Sequence, residues 1–344
     1  MSDDAGVRRR PAAPTIYDVA RACGVAPSTV SRAFSRPGRV NADTARRIHE
    51  AAERLGYRTN PLARALPTGR TSLLAVVVSD VTNPFFFDIL RGAEAVAVKA
   101  GYTLLVADVH ESGEAERNAV DRTVPLVEGV ALATARMSHS AIRVGARERP
   151  TVVLNRVLPD IPSIVTDNAD GARQLVRHLV SLGHTSLTYV GGPEASWANG
   201  MRWRAVLETA TDAGVRVRQA GAFPPTQAGG LAAAQVVAAE DATAAIAYND
   251  LMAIGLMRGL TRLGLDVPGD RSVTGFDNIF GSDFCTPPLT TVAAPLRQLG
   301  ALAVQTLLDA LGADARTRPG GGAPTTPVVL PVQLIVRDST SAPR

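Results

Sequence analysis

From Ser72 to about Asn278 the chain alternates short apolar runs with stretches long enough for three or four helical turns, and this alternation constrains its fold more than any other feature. The runs LLAVVVSD, TLLVADV, GVALAT and PTVVLNR are interleaved with helical patterns over 85–100 and near 114–126. A strand buried on both faces reads as a continuous apolar run, whereas one with a wet face alternates. These runs are continuous, so they predict parallel strands covered by helices on both sides. A second series repeats the pattern: a helix over 171–182, LTYVGG, a helix over 200–213, a strand near 215–223, a helix over 228–238, AAIAYND, a helix over 251–263, and SVTGFDN. Two doubly wound α/β lobes are expected, and 319–324, PGGGAP, reads as a loop before a last strand VVLPVQLIV.

The first 70 residues have a different character. They hold thirteen arginines against six acids, a balance of +7, while 71–344 carries −3. A basic front on a mildly acidic body points to a polyanionic partner for the front alone. Residues 1–14 read as a basic arm. Thr15 can cap a helix whose apolar face is Ile16, Val19, Ala20 and Cys23, with Asp18 in the first turn where a carboxylate is favoured. Gly24 permits a tight turn, Val25 plugs the core, and Pro27 suits the first position of a second helix running to Phe34. Val30 and Phe34 face inward, leaving Ser28, Thr29, Ser31 and Arg32 outside. A third helix fits 41–55, with Asn41 as its cap and Ala45, Ile48, Ala52 and Leu55 as its inward stripe. The unit over 15–59 is a three-helix helix-turn-helix, a shape that serves equally as a DNA reader or as a structural hairpin.

Together, TIYDVARACGVAPSTVSRAF, GYRTNPLARAL with TGRT, NPFF, HLVSLGH, AYNDLMAIGL, VPGDRSVTGFDN and PPLTTV resemble the lactose/galactose repressor family of bacterial transcription regulators, over about residues 15–340. The resemblance implies a DNA-binding repressor that meets a near-palindromic operator as a homodimer, or as a tetramer of paired dimers, under control of a small sugar-like effector. It also implies the two-lobed fold of periplasmic sugar-binding proteins. Chain crossovers would then divide the body at 71–344 into one lobe of about 71–168 and 296–325 and another of about 169–295 and 326–340.

Arg32 is the strongest base reader, because guanidinium pairs bidentately with guanine O6 and N7. The resemblance adds Pro27 and Ser28. Pro27 has no side-chain hydrogen bond to offer, so it either stacks on a thymine methyl or stiffens the helix start, and Ala26 stands where relatives often have serine. Thr15, Tyr17, Thr29, Ser31 and Asn41 are either phosphate contacts or caps and outward polar groups. The hinge and linker span 60–70, a stretch too short to be a stable helix alone. By resemblance Asn60, Ala63 and Leu66 serve the minor groove, with Leu66 as the wedge, Ala63 allowing close approach of paired hinges, and Pro67 ending the segment.

In open parallel sheets ligands sit beyond the carboxyl ends of the strands, and Asn83, Asn155, Arg156, Asn249 and Asp277 follow apolar runs. Arg202 can fork onto vicinal hydroxyls, and Asn249 and Asp277 suit a hydroxyl-rich cleft. Phe85, Phe86 and Trp197 either cover a pyranose face or belong to the core. By resemblance Arg202, Asn249 and Asp277 are the firmest members of the effector site. Asn278 replaces a frequent second aspartate, and RWRAV replaces R-L-x-G-F, which leaves the sugar open.

Other classes are disfavoured. Lys99 is the sole lysine and follows no glycine-rich loop, HExxH and GxSxG are absent, and the five histidines show no metal spacing. No enzyme, cofactor or metal is expected. No apolar run approaches the roughly 18 residues of a membrane span, and nothing at the N-terminus resembles an export signal, which argues against a secreted transport protein. Cys23 and Cys285 suit a reducing cytoplasm.

Overall fold

The computed structural model describes residues 14–35, 38–57, 70–133, 135–312 and 326–344. Most of the basic arm, the hinge residues Asn60, Ala63 and Leu66, and the glycine-rich stretch 319–324 lie outside the described residues. The chain divides into two units, Met1–Thr71 and Ser72–Arg344.

The first unit holds three helices, α1 (Ile16–Cys23), α2 (Pro27–Ser35) and α3 (Ala42–Leu55). Asp18 closes the start of α1 by accepting from the Thr15 N–H at 2.9 Å and the Thr15 hydroxyl at 2.6 Å. Gly24 ends it at φ 65°, a left-handed conformation that favours glycine. Arg47 on α3 donates to the Cys23 carbonyl at 3.0 Å, so a cation sits on the negative end of α1. Val19, Ala20, Cys23, Val30, Ala33, Ile48, Ala51 and Ala52 form the core. Leu55 was expected to belong to it, yet it is 40% exposed. The inward stripe of α3 instead pairs Ala51 with Ala52, and Leu55 falls in the last turn, immediately before the left-handed Gly56.

The second unit is built on two parallel sheets. The first contains β1 (Leu73–Val78), β2 (Thr103–Asp108), β3 (Gly129–Leu132), β4 (Thr151–Leu154), β5 (Ser163–Thr166) and β11 (Val328–Leu330), in the order β11-β5-β4-β3-β1-β2. Helices α4 (Phe85–Lys99) and α11 (Leu296–Gly312) cover one face, and α5 (Gly113–Thr123) and α6 (His139–Glu148) the other. The two-residue period of β1 shows why the run reads as continuous. Leu74, Val76 and Val78 enter one core, while Ala75 and Val77 enter the other. The second sheet contains β6 (Ser186–Gly191), β7 (Arg216–Ala222), β8 (Ala244–Ala247) and β9 (Ser272–Thr274), in the order β7-β6-β8-β9. Helices α7 (Asn168–Ser181) and α8 (Trp197–Asp212) lie on one side of it, and α9 (Gln227–Ala238) and α10 (Asp250–Arg262) on the other.

Helix α11 returns to the first lobe and packs against α4 at almost backbone contact. A Cβ added at Gly92 would fall 1.9 Å from the Arg297 carbonyl oxygen, and one at Gly300 would fall 1.9 Å from that of Ile89. The chain passes between lobes at three places: after β5, after β10 (Thr291–Ala293), and between β11 and β12 (Gln333–Ile335). The expected single strand VVLPVQLIV is therefore two. Its first part pairs with β5 in the first sheet, and its second pairs antiparallel with β10, so 326–330 does not join the second lobe as expected. Pro331 between them has no N–H to continue a ladder. Among the described residues no helix is long and apolar enough to cross a membrane.

Candidate functional site

In the first unit the candidate surface is the outer side of α2. Val30 and Ala33 are buried, and Phe34 sets its ring edge-on to His49 at 4.6 Å, which fixes the roll of the helix. Ser28, Ser31 and Arg32 are then exposed, with Pro27 and Thr29 half-buried beside them. Hydroxyl and guanidinium donors on one helix face are the groups that base edges and phosphates accept from. Thr15, Tyr17 and Asn41 are also exposed, and Asn41 caps α3 by accepting from the Asp43 N–H at 2.9 Å.

In the second unit the residues that follow the strands converge on a cavity. Its walls come from the carboxyl ends of both sheets. Ser79, Asn83, Phe85, Phe86, Glu111, Arg136 and Asn155 belong to the first lobe, and Ser196, Arg202, Tyr248, Asn249 and Asp277 to the second. Six described non-glycine residues have positive φ, and three of them line this cavity: Glu111 (57°), Asn155 (56°) and Asp277 (111°). Such conformations are disfavoured for residues with a Cβ and persist where surrounding bonds hold them. Their concentration at one site marks it as the place where side-chain direction is fixed against local preference.

Of the expected effector residues, Asn83, Phe85, Phe86, Asn155, Arg202, Asn249 and Asp277 are brought together here. Arg156 and Trp197 do not line the cavity. Arg156 donates to the Met137 carbonyl at 2.7 Å and braces the loop after β3. Trp197 is the half-buried first residue of α8. Asn249 lines the wall, but both ends of its amide are committed, the oxygen to the Met252 N–H at 2.9 Å and the nitrogen to the Pro225 carbonyl at 3.1 Å. Sequence reasoning missed Ser79, Glu111, Arg136, Ser196 and Tyr248. The strand-end rule could have found Ser79, Glu111, Arg136 and Tyr248, since each follows an apolar run.

Arg202 is the hub of the second lobe. Its Nε donates to Asn168 at 2.7 Å, one Nη to the Tyr248 carbonyl at 2.5 Å, and the other to Asp277 at 3.3 Å. The guanidinium also lies 3.6 Å from the centre of the Phe276 ring. Burial pushes the Asp277 carboxyl up to about 6, with the Arg202 charge and hydrogen bond opposing the rise. Behind it, burial and the Asp277 charge push Asp250 up to about 8, although the Thr291 hydroxyl and the Ile279 N–H both donate to it. In the first lobe Arg136 donates to Glu111 Oε2 from Nη2 at 2.8 Å and from Nε at 3.0 Å. Ser196 and Tyr248 join their hydroxyls at 3.0 Å. The wall thus offers hydroxyl, amide, carboxylate and guanidinium groups beside two phenylalanines, a set suited to a small polar ligand with one apolar face.

Residues 15–60 match the family of bacterial regulatory proteins, lacI family, and residues 176–340 match the periplasmic binding protein-like domain. The chain is 31% identical to the HTH-type transcriptional repressor CytR of Escherichia coli strain K12, over 97% of this chain and 98% of that protein. Among solved structures it is similar to the Lac repressor dimer bound to operator and the anti-inducer ONPF, with a TM-score of 0.82 and 28% identity over 96% of this chain and 99% of that one. It is also similar to a LacI family transcriptional regulator from Enterococcus faecium with bound ribose, with a TM-score of 0.68 and 27% identity over 78% of this chain and 99% of that one.

Proposed function

The chain belongs to the LacI family of bacterial transcriptional regulators, and from that premise we propose that it is a cytoplasmic repressor, a homodimer on a near-palindromic operator, released or engaged by a small sugar-like effector. It has no catalytic role in this reading. The observation that carries it is the cavity at the carboxyl ends of both sheets, walled by both lobes, in a chain that also presents the polar face of α2. Arg32 and Ser28 read base edges in the major groove, and Pro27 sets the helix start. Thr15, Tyr17, Thr29, Ser31 and Asn41 position the unit on phosphates. Asn60, Ala63 and Leu66 enter the minor groove, where an apolar wedge unstacks a base step.

One reader with a few base contacts cannot supply specific affinity alone, so two must act on an inverted repeat. A ligand touching Asn83 and Asn155 on one lobe and Arg202 and Asp277 on the other favours the closed cleft, and a coupling of about 1–3 kcal/mol changes operator occupancy severalfold. The test is a footprint on the DNA upstream of the chain's own gene and its neighbours, with titrated potassium chloride. Two symmetric protected half-sites that weaken steeply with salt are expected. Protection of one unpaired half-site would overturn the dimer reading.

A further inference from the structure

We propose that the cleft is built for an uncharged ligand, and that Glu111, by occupying Arg136, is the residue that excludes phosphorylated and other anionic ones. This rests on the reading of the cavity as an effector site and narrows its chemistry.

Among the described residues the cavity wall carries four charged side chains, Glu111, Arg136, Arg202 and Asp277, two of each sign. Each arginine already has its carboxylate, Glu111 at 2.8 Å from Arg136 and Asp277 at 3.3 Å from Arg202. Both arginine side chains and that of Asp277 are 7% exposed and that of Glu111 is 23% exposed, so both guanidiniums are shielded from water while the Glu111 carboxylate keeps partial contact with it. A phosphoryl group entering this space meets two carboxylates as well as two guanidiniums. To take a guanidinium for itself it must part that arginine from its carboxylate, leaving Asp277 buried or Glu111 half-buried without its cation, an unfavourable exchange. A hydroxyl has no such conflict, because it donates to carboxylate and accepts from guanidinium while the pairs stay intact.

The first-lobe pair is held in place deliberately. His110 and Glu111 both adopt positive φ, 48° and 57°, and the Glu111 N–H donates to the Ser79 carbonyl at 2.7 Å. The Ser79 hydroxyl donates to Glu111 Oε1, so one carboxylate oxygen is fixed by Ser79 and the other by Arg136. On the opposite side, buried Glu116 accepts from the N–H groups of Arg136 and Met137 at 2.7 and 2.9 Å and fixes the arginine's backbone. The disfavoured turn at 110–111 thus delivers a carboxylate to Arg136, the one first-lobe cation on the cavity wall among the described residues.

The experiment uses the full chain, with thermal shift and calorimetric titration against inorganic phosphate, D-ribose and D-ribose 5-phosphate, and D-glucose and D-glucose 6-phosphate. Wild type should show no saturable binding of phosphate or of either ester at millimolar concentration. Glu111→Gln leaves Arg136 without its anion and should gain saturable phosphate binding, tighter than wild type by on the order of tenfold or more, and Glu111→Gln/Arg136→Gln should lose that gain. A merely structural ion pair would lower the melting temperature of Glu111→Gln without creating a phosphate site, and that result overturns the proposal. So does wild type binding an ester as tightly as its neutral parent, a comparison that decides the matter even where the variant fails to fold. If the phosphate results are as stated while no neutral sugar binds, the charge proposal stands and the sugar reading falls.

Discussion

Replacing Arg202 with Met keeps most of the side chain's length while removing its charge and three hydrogen bonds, and the structure predicts a destabilisation that grows with pH. Arg202 Nη2 lies 3.3 Å from Asp277 Oδ1, a separation at which an effective dielectric of about 20 gives an attraction of about 5 kcal/mol. With the arginine present, Asp277 already titrates at about 6, above its ordinary 3.8. Without it, Asp277 stays protonated through neutral pH. The unfolded chain ionises near 3.8 in both proteins, so only the folded states differ. Above pH 6 the folded variant binds one proton more than folded wild type, and raising the pH therefore weakens the variant more. The difference is close to zero at pH 6 and grows by about 1.4 kcal/mol per unit, to about 3 kcal/mol at pH 8.

A pH-independent part comes from Asn168 and the Tyr248 carbonyl, two buried acceptors left without their donor, at about 1–3 kcal/mol each. The expected loss at pH 7 is about 3–7 kcal/mol, from the lower end of the range for breaking a buried pair from one side to somewhat above it. The chain's two tryptophans, Trp197 and Trp203, both lie on α8 beside Arg202, so urea unfolding followed by their emission reports on this lobe. A loss that differs by less than about 0.5 kcal/mol between pH 6 and pH 8 would refute the coupling. Adding Asp277→Asn to Arg202→Met should abolish the pH dependence.

Asp277→Ala should leave operator affinity intact and remove the effector's influence on it; fluorescence anisotropy with operator, with and without the cognate effector, would show otherwise if the variant still responded normally. Arg32→Ala should relax base preference by about 1–3 kcal/mol, and an equal loss on operator and random DNA in competition binding would make Arg32 a phosphate contact. Leu66→Ala should lower affinity and operator bending together, read by gel mobility of circularly permuted fragments; unchanged bending would remove Leu66 as a wedge. Gly92→Ala should destabilise the first lobe by about 1–3 kcal/mol by forcing α4 from α11, and an unchanged unfolding midpoint by circular dichroism would contradict that close packing.

What the sequence made legible were features with local causes. Gly24 and Pro27 punctuate the helical pair because a left-handed turn and a fixed φ are properties of those residues themselves. Strands β1, β3 and β4 were legible because burial on both faces leaves an uninterrupted apolar run, whereas β2 carries such a run as a half-exposed strand at the sheet edge. Pro331 could have divided VVLPVQLIV on the same grounds, but which sheet each half joins depends on β5 and β10, far away in sequence. The strand-end rule found Asn155 but took its neighbour Arg156 with it. Asn155 has positive φ, and the next side chain turns back to the loop carbonyl of Met137. Glu111 and Arg136 were illegible as a pair because their meeting depends on how two loops after separate strands are held, by Ser79 on one side and Glu116 on the other.

Those holding bonds bear on how the cleft acts. The Asn155 N–H donates to the Ile164 carbonyl at 3.1 Å, on the strand that leads into the first crossing. The Asp277 N–H donates to the Val292 carbonyl at 2.8 Å, on the strand that leads into the second. Asp167, in the first crossing, donates its N–H to the Leu330 carbonyl at 2.9 Å, where the third begins. Arg202 is bonded to Asn168, immediately after the first crossing, as well as to Asp277. Two of the three residues held in disfavoured conformations on the wall, Asn155 and Asp277, are thus fastened to the segments that join the lobes. A ligand that draws Asp277 or Arg202 toward itself acts on those segments directly, without an intermediate chain of contacts through either core. Each disfavoured φ destabilises the fold by on the order of 1–3 kcal/mol, and a ligand bond that lets such a residue relax, or tightens its hold, changes the balance between open and closed lobes by a comparable amount. That is the magnitude a regulator needs to change occupancy severalfold.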